Sequence, residues 1–163
     1  MSESVVALLK STWISHQMTG QPWLWAICET LHFIGLALLI GAAGFFDLRL
    51  MGFMKRIPLT AVMPVRRWAA VGVAINVITG TLFFVGAPDQ YIENPAWWGK
   101  VFFLLVAMLN IAFFETQLGA KMLTLSDEAD TPTSFKIAGA LSIASWFMVL
   151  YLGRMLPFIG TAF

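Results

Sequence analysis

From Trp23 to Leu50 the chain reads WLWAICETLHFIGLALLIGAAGFFDLRL, apolar enough and long enough to cross a hydrocarbon layer as a helix. About 20 such residues suffice for one crossing. In lipid the backbone must satisfy its own hydrogen bonds, and a single stretch of this length does so only as a helix. Three further stretches behave the same way, giving expected spans at about 23–47, 68–86, 97–118 and 135–158. Only 12% of the 163 residues are charged, against about 25% in an ordinary soluble domain. Too little polar surface exists to face water, so lipid is the main solvent. The expected fold class is all-α: an integral membrane four-helix bundle, one domain over residues 1–163.

The flanks refine this picture. Val5, Val6, Leu8, Leu9, Trp13 and Ile14 alternate with Ser, Lys and Thr over residues 4–15, which predicts a short interfacial helix. Gly20-Gln21-Pro22 then breaks the chain. The N-terminus lacks a basic region before its apolar run, so the first span is expected to act as an uncleaved insertion signal. Residues 51–67, 87–96 and 124–134 read as loops. Arg49, Lys55, Arg56, Arg66, Arg67, Lys121 and Lys136 fall on one side, against Lys10, Lys100 and Arg154 on the other. Basic residues collect on the cytoplasmic side, so both termini are expected outside, periplasmic in a bacterial inner membrane. A net charge of +1 points away from nucleic acid. One Cys permits no internal disulfide.

The chemistry sits in the first span. Glu29 and His32 are three residues apart and share a helical face with Cys28, four before His32, and with Gly35, three after it. Counting from Trp23, Glu29 lies about 9 Å and His32 about 13 Å into the membrane. Lys100 and Arg154 enter from the same side, each about 5 to 6 Å deep. Ionisable groups at such depth mark function by default. One reading is a b-type haem, with His32 as axial ligand, Gly35 making room for the ring, and Lys100 and Arg154 meeting the propionates. Glu29 would tune the site or accept a proton. Two histidines allow at most one haem per chain, its sixth position open or closed by Met or by His16. A second reading is copper, with His16, Met18, Cys28 and His32 as soft and imidazole ligands. A third is a proton-coupled transporter through Glu29 and His32. A structural His32, hydrogen-bonded to Glu29 or Asn110, is the plain alternative. The Glu-x-x-His pair lacks the further carboxylates of a di-iron site. Trp146 is read as packing or as a ring contact to a cofactor.

At the other membrane face, Asp47 is expected to pair with Arg49 or Arg66 and so order a loop. Asn76, Thr79 and Asn110 are expected to bond between helices. The run FFDLRL after Gly44 is echoed by FFETQL after Ala112, placing Asp47 and Glu115 at the same face. In so biased a composition, chance accounts for the echo better than a duplicated hairpin. Small residues Gly35, Gly41, Ala42, Ala43 and Gly44 favour close helix approach, and with it a homo-oligomer.

The segments LHFIGLALLIG with DLRLMG, then WWGKVFFLLVAMLNIAFF, then SWFMVLYLGRMLPF, carry a resemblance over residues 23–158. The chain resembles a family of bacterial four-span membrane proteins of unknown function. More distantly, it is similar to the membrane domain of copper-resistance D-type proteins. The resemblance implies a four-helix bundle with a redox or metal role, and it points to His32, Asp47, Arg49, Lys100, Asn110 and Arg154.

Overall fold

The computed structural model describes residues 2–122, 124–125 and 130–159. All regular structure among the described residues is helical, with no strand among them. Two short helices lead, α1 (Ser2–Lys10) and α2 (Trp13–Gly20), followed by the long α3 (Pro22–Leu50). After a reversal come α4 (Leu59–Val62), a single 3-10 turn and α5 (Arg66–Gly86). A short α6 (Pro88–Ile92) leads to α7 (Pro95–Phe113), which continues through a π-helical turn (Phe114–Leu118) into α8 (Gly119–Met122). Finally α9 (Thr133–Met155) returns across the bundle. Four helical stretches, Pro22–Leu50, Leu59–Gly86, Pro95–Met122 and Thr133–Phe158, are long and apolar enough to cross a membrane.

Local chemistry sets the boundaries. Pro22 and Pro95 stand in the first turns of α3 and α7, where a missing N–H costs nothing. The Asn94 side chain caps α7 by accepting from the Ala96 N–H at 2.9 Å, while its amide donates to Leu156 O at 2.9 Å. Thr12 caps α2 by accepting from Ser15 N–H. Gly52 turns the chain after α3 with φ of 92°, the left-handed region that a Cβ disfavours.

Three expectations need correction. α3 is 29 residues long and runs past the expected end of the first span. At a rise of 1.5 Å per residue it spans about 43 Å, beyond the hydrocarbon core alone. Residues 51–67 are not a surface loop throughout: Leu59 and Val62 are buried, and helix resumes at Leu59 because those side chains join the core. The N-terminal segment is two helices broken at Ser11-Thr12, and α2 packs onto α5 and α3 rather than only resting on the membrane. Ser15 and Met18 are its buried face. Residues 126–129 of the expected 124–134 loop lie outside the described residues.

The long helices stand in the order α5, α3, α9, α7, with close packing at each of those three seams. Glycines make the approach possible. A Cβ on Gly72 would lie 2.6 Å from Leu39 N and 2.7 Å from Gly35 O, and one on Gly35 would lie 2.5 Å from Asn76 Nδ2. Gly139 of α9 lets α3 approach so closely that a Cβ there would sit 2.8 Å from Asp47 O. The fourth seam, between α5 and α7, has almost no backbone contact. Aromatic and ionic side chains bridge it near its two ends. At the end that carries the termini, Phe84 of α5 stacks on Trp97 of α7, centroids 5.3 Å apart. At the end that carries the reversal after α3, here the loop end, Arg66 is ion-paired with Glu115. The bundle is thus a curled row in which α5 and α7 meet through side chains rather than backbone. A core of Phe46, Leu50, Leu59, Val62, Phe114 and Phe135 packs toward the loop end, and Leu39, Ala107, Trp146 and Val149 pack at mid-height.

Candidate functional site

The curl encloses a cavity of about 660 Å³ in the half of the bundle nearer the termini. That is within the usual range for a cofactor or small-ligand pocket. All four long helices line it, and aromatic rings stand among the aliphatic side chains of its wall, Trp25, Phe83, Phe84, Tyr91, Trp97 and Trp146. Tyr91 of α6 closes the end, its ring 4.9 Å from Trp97 and 6.1 Å from Phe84. Burial pushes the Tyr91 phenol up to about 12 from an ordinary 10, and the charges of Cys28 and Glu29 add to this.

His32 projects from α3 into the cavity wall. Its Nδ1 lies 2.7 Å from Thr79 Oγ1, and that same oxygen lies 2.7 Å from Ile75 O one turn earlier on α5. A carbonyl only accepts, and a hydroxyl has one hydrogen to give. Thr79 donates to Ile75, so Nδ1 must carry the proton that joins His32 to Thr79. The neutral ring then has a bare Nε2, with no hydrogen-bond partner among the described residues. An Nδ1–H held by a fixed acceptor, leaving Nε2 free, is the arrangement of a ligating imidazole. Phe83 supports the ring edge-on at 5.6 Å, and Gly80 leaves space beside Cε1.

Two cations border the same cavity. Lys100 is half-buried, its Nζ 5.9 Å from the Trp97 ring centroid, and its stem passes over Gly153, where a Cβ would come within 3.5 Å of Nζ. Arg154 is exposed, its guanidinium 5.7 Å from the Phe158 ring centroid. Neither has an ion-pair partner among the described residues.

The structure brings together His32, Glu29, Lys100 and Arg154 on this one cavity. It does not bring the other expected residues there. Gly35 lies against Asn76 and Ile75, so it serves the α3–α5 seam and makes no room for a ring. Cys28 is buried with Sγ 3.7 Å from Thr79 O, facing α5. His16 is exposed on α2, and Met18 is buried against Gly86. No three His, Cys, Asp or Glu side chains gather at one point among the described residues. The expected partner of His32 was Glu29 or Asn110; the partner is Thr79, and Asn110 Nδ2 instead donates to Ala138 O in the other half of the bundle.

Sequence reasoning assigned Thr79, Phe83, Tyr91 and Trp97 no part in this site. A signal existed for Thr79. The pairs Gly35–Gly72, Cys28–Thr79 and His32–Thr79 are all roughly symmetric about the reversal at Gly52 to Lys55. An antiparallel hairpin with its turn placed there sets His32 opposite Thr79. Reading the whole of 51–67 as loop shifts that centre and the pairing with it.

A second cavity, of about 300 Å³, lies in the loop-end half, lined by Asp47, Asn110, Ser142 and the Arg66–Glu115 pair among others. Leu39, Val73 and Trp146 line both cavities and stand between them. Among the described residues Asp47 makes no ion pair: Arg66 reaches Glu115, and Arg49 Nε donates to Ile57 O at 2.7 Å.

Comparison of the chain with protein-family models, with curated proteins and with solved structures finds no match.

Proposed function

We propose that the larger cavity holds one b-type haem per chain and that the protein performs electron transfer or small-oxidant chemistry near the outer face. The observation that carries this reading is the imidazole of His32. Thr79 spends its only proton on Ile75, so Nδ1 is committed and Nε2 is left bare in an aromatic cavity of about 660 Å³. The surroundings fit an amphiphilic dicarboxylate ring. Aromatic walls suit its flat apolar face, and Lys100 and Arg154 are cations without ion-pair partners among the described residues, placed to receive its carboxylates. His32 would bind through Nε2, Thr79 would orient His32, and Glu29 would accept or deliver a proton at the cavity rim. When bound, haem supplies a one-electron couple and an iron able to take a small ligand. Among the described residues lining the cavity there is no second His, no Met and no Cys, which favours an open sixth position over two protein ligands.

The basic residues of the loop end support termini on the outer side, periplasmic in a bacterial inner membrane. Gly41 and Gly44 meet nothing within 4 Å in the single chain, which leaves a small-residue surface for a second copy.

The test is the visible spectrum of the detergent-purified protein. A Soret band is expected, lost in His32→Ala and kept in His16→Ala. A folded, colourless wild-type protein from haem-replete cells would sink the reading.

A further inference from the structure

The smaller cavity contains a polar group that nothing so far accounts for. Asp47 is 5% exposed, and its Oδ2 is buried with no hydrogen-bond partner. Ser142 of α9 borders the same cavity. Asp47 is the carboxylate on the cavity wall that no cation answers. Charged groups face the cavity from α5, as Arg66 and Arg67, and from the π turn after α7, as Glu115. Arg66 is bound to Glu115 and lies over the rings of Phe46 and Phe114, 5.4 and 5.3 Å from their centroids. From α9 come Ser142 and Ala138, with no charge. Arg49, two residues on, is held by Ile57 O and by Thr131 Oγ1 and does not line the cavity.

A carboxylate oxygen at membrane depth needs a cation or a donor. Metal cations fit poorly. They require several oxygen ligands in a shell, whereas one free carboxylate oxygen is on offer, and two guanidiniums stand at the mouth. The cation that a single oxygen holds is the proton. The cavity, at about 300 Å³, has room for the water that would carry it from the loop end. Leu39, Val73 and Trp146, which carry no ionisable group, line both cavities and stand between them.

We propose that Asp47 is a proton-binding site served from the loop end through the Arg66–Glu115 mouth and closed from the His32 cavity by Leu39, Val73 and Trp146. The step is the addition of one proton from water-borne hydronium to the free carboxylate oxygen, and its return by the same route. Asp47 and His32 belong to separate cavities, so the proposal stands independently of any haem.

Dicyclohexylcarbodiimide tests it, because this apolar reagent attacks carboxyl groups that carry a proton in apolar surroundings. Wild-type protein in detergent is treated across a pH series and the adducts are mapped by mass spectrometry. An adduct on Asp47 that disappears as pH rises is expected. Infrared spectra of the same protein should show a carboxylic carbonyl band that shifts in heavy water and is missing in Asp47→Asn, a variant of the same shape. Asp47 free of adduct at every pH, or an infrared band unchanged by Asp47→Asn, overturns the proposal.

Discussion

Single atoms decide most of what this bundle can do. Thr79 matters through one hydrogen, which goes to Ile75 O and so dictates the tautomer of His32. Thr79→Val keeps the shape and removes the acceptor. Haem affinity is expected to fall about 10- to 100-fold, the usual cost of losing such an orienting partner, read by haem titration of the apoprotein. Gly72 matters through a missing atom. Gly72→Ala forces a Cβ onto the backbone of Leu39 and Gly35, neither of which can turn aside, and should destabilise by about 1–3 kcal/mol. Gly41→Ala meets open space and should stay within about 0.5 kcal/mol in the monomer. Thermal unfolding of both variants in detergent makes the comparison, and dissociation of an oligomer by Gly41→Ala would place the second copy on that face. The sequence marked Gly35 and Gly41 as small without telling them apart, and passed over Gly72, since which glycine meets a neighbour depends on helix rotation, and a helix apolar all round carries no stripe to fix it. His32, Glu29, Lys100 and Arg154 were legible for the opposite reason: ionisable groups within apolar spans stand out by depth alone.

Helices and their connections were legible in number and less so in their ends. Four long apolar runs need no tertiary information. Leu59 and Val62, by contrast, sit among Pro58, Pro64 and basic residues, and only the core they fill shows that they begin the second crossing. The π turn at Phe114–Leu118 has no sequence signature at all, yet the extra residue it admits lets Phe114 enter the core while Glu115 reaches Arg66. Two connections carry pH-dependent groups. Lys136 donates to Asp130 Oδ2 at 3.0 Å and Lys55 pairs with Oδ1 at 3.1 Å, and together, Lys136 first, they hold the carboxyl down at about 2 from an ordinary 3.8. A depressed carboxyl stabilises above its unfolded value and stops doing so as pH falls through the folded one. The link between the two loop-end connections should therefore persist above about pH 4 and fail toward pH 2. Asp130→Asn should reproduce the acid state at neutral pH, seen as faster hydrogen exchange at residues 52–57. Tyr91 runs the other way. Its raised phenol favours the folded state below pH 10, and that contribution goes as pH climbs toward about 12. The ultraviolet difference titration of wild type against Tyr91→Phe should show this residue ionising near the upper value.

Across the whole molecule, two cavities on opposite sides of three apolar side chains make a divided interior. Trp146 is the largest of the three and is 4% exposed. Trp146→Ala should join the cavities and let protons leak across reconstituted vesicles, and adding Asp47→Asn should suppress that leak. A leak that ignores Asp47 would show that the two halves are not in series. The sequence placed Asp47 and Glu115 at one membrane face, but not in one cavity, because cavities form from seams and seam order is a property of packing. The fourth seam has a consequence of its own. Between the Phe84–Trp97 stack and the Arg66–Glu115 pair, α5 and α7 have almost no backbone contact, so side chains alone close the larger cavity there. A wall made of side chains can part without unpacking any helix, so a ligand of the proposed kind is expected to load after the four crossings have assembled. Its rate of loading should then vary with the thickness and unsaturation of the membrane around the purified protein.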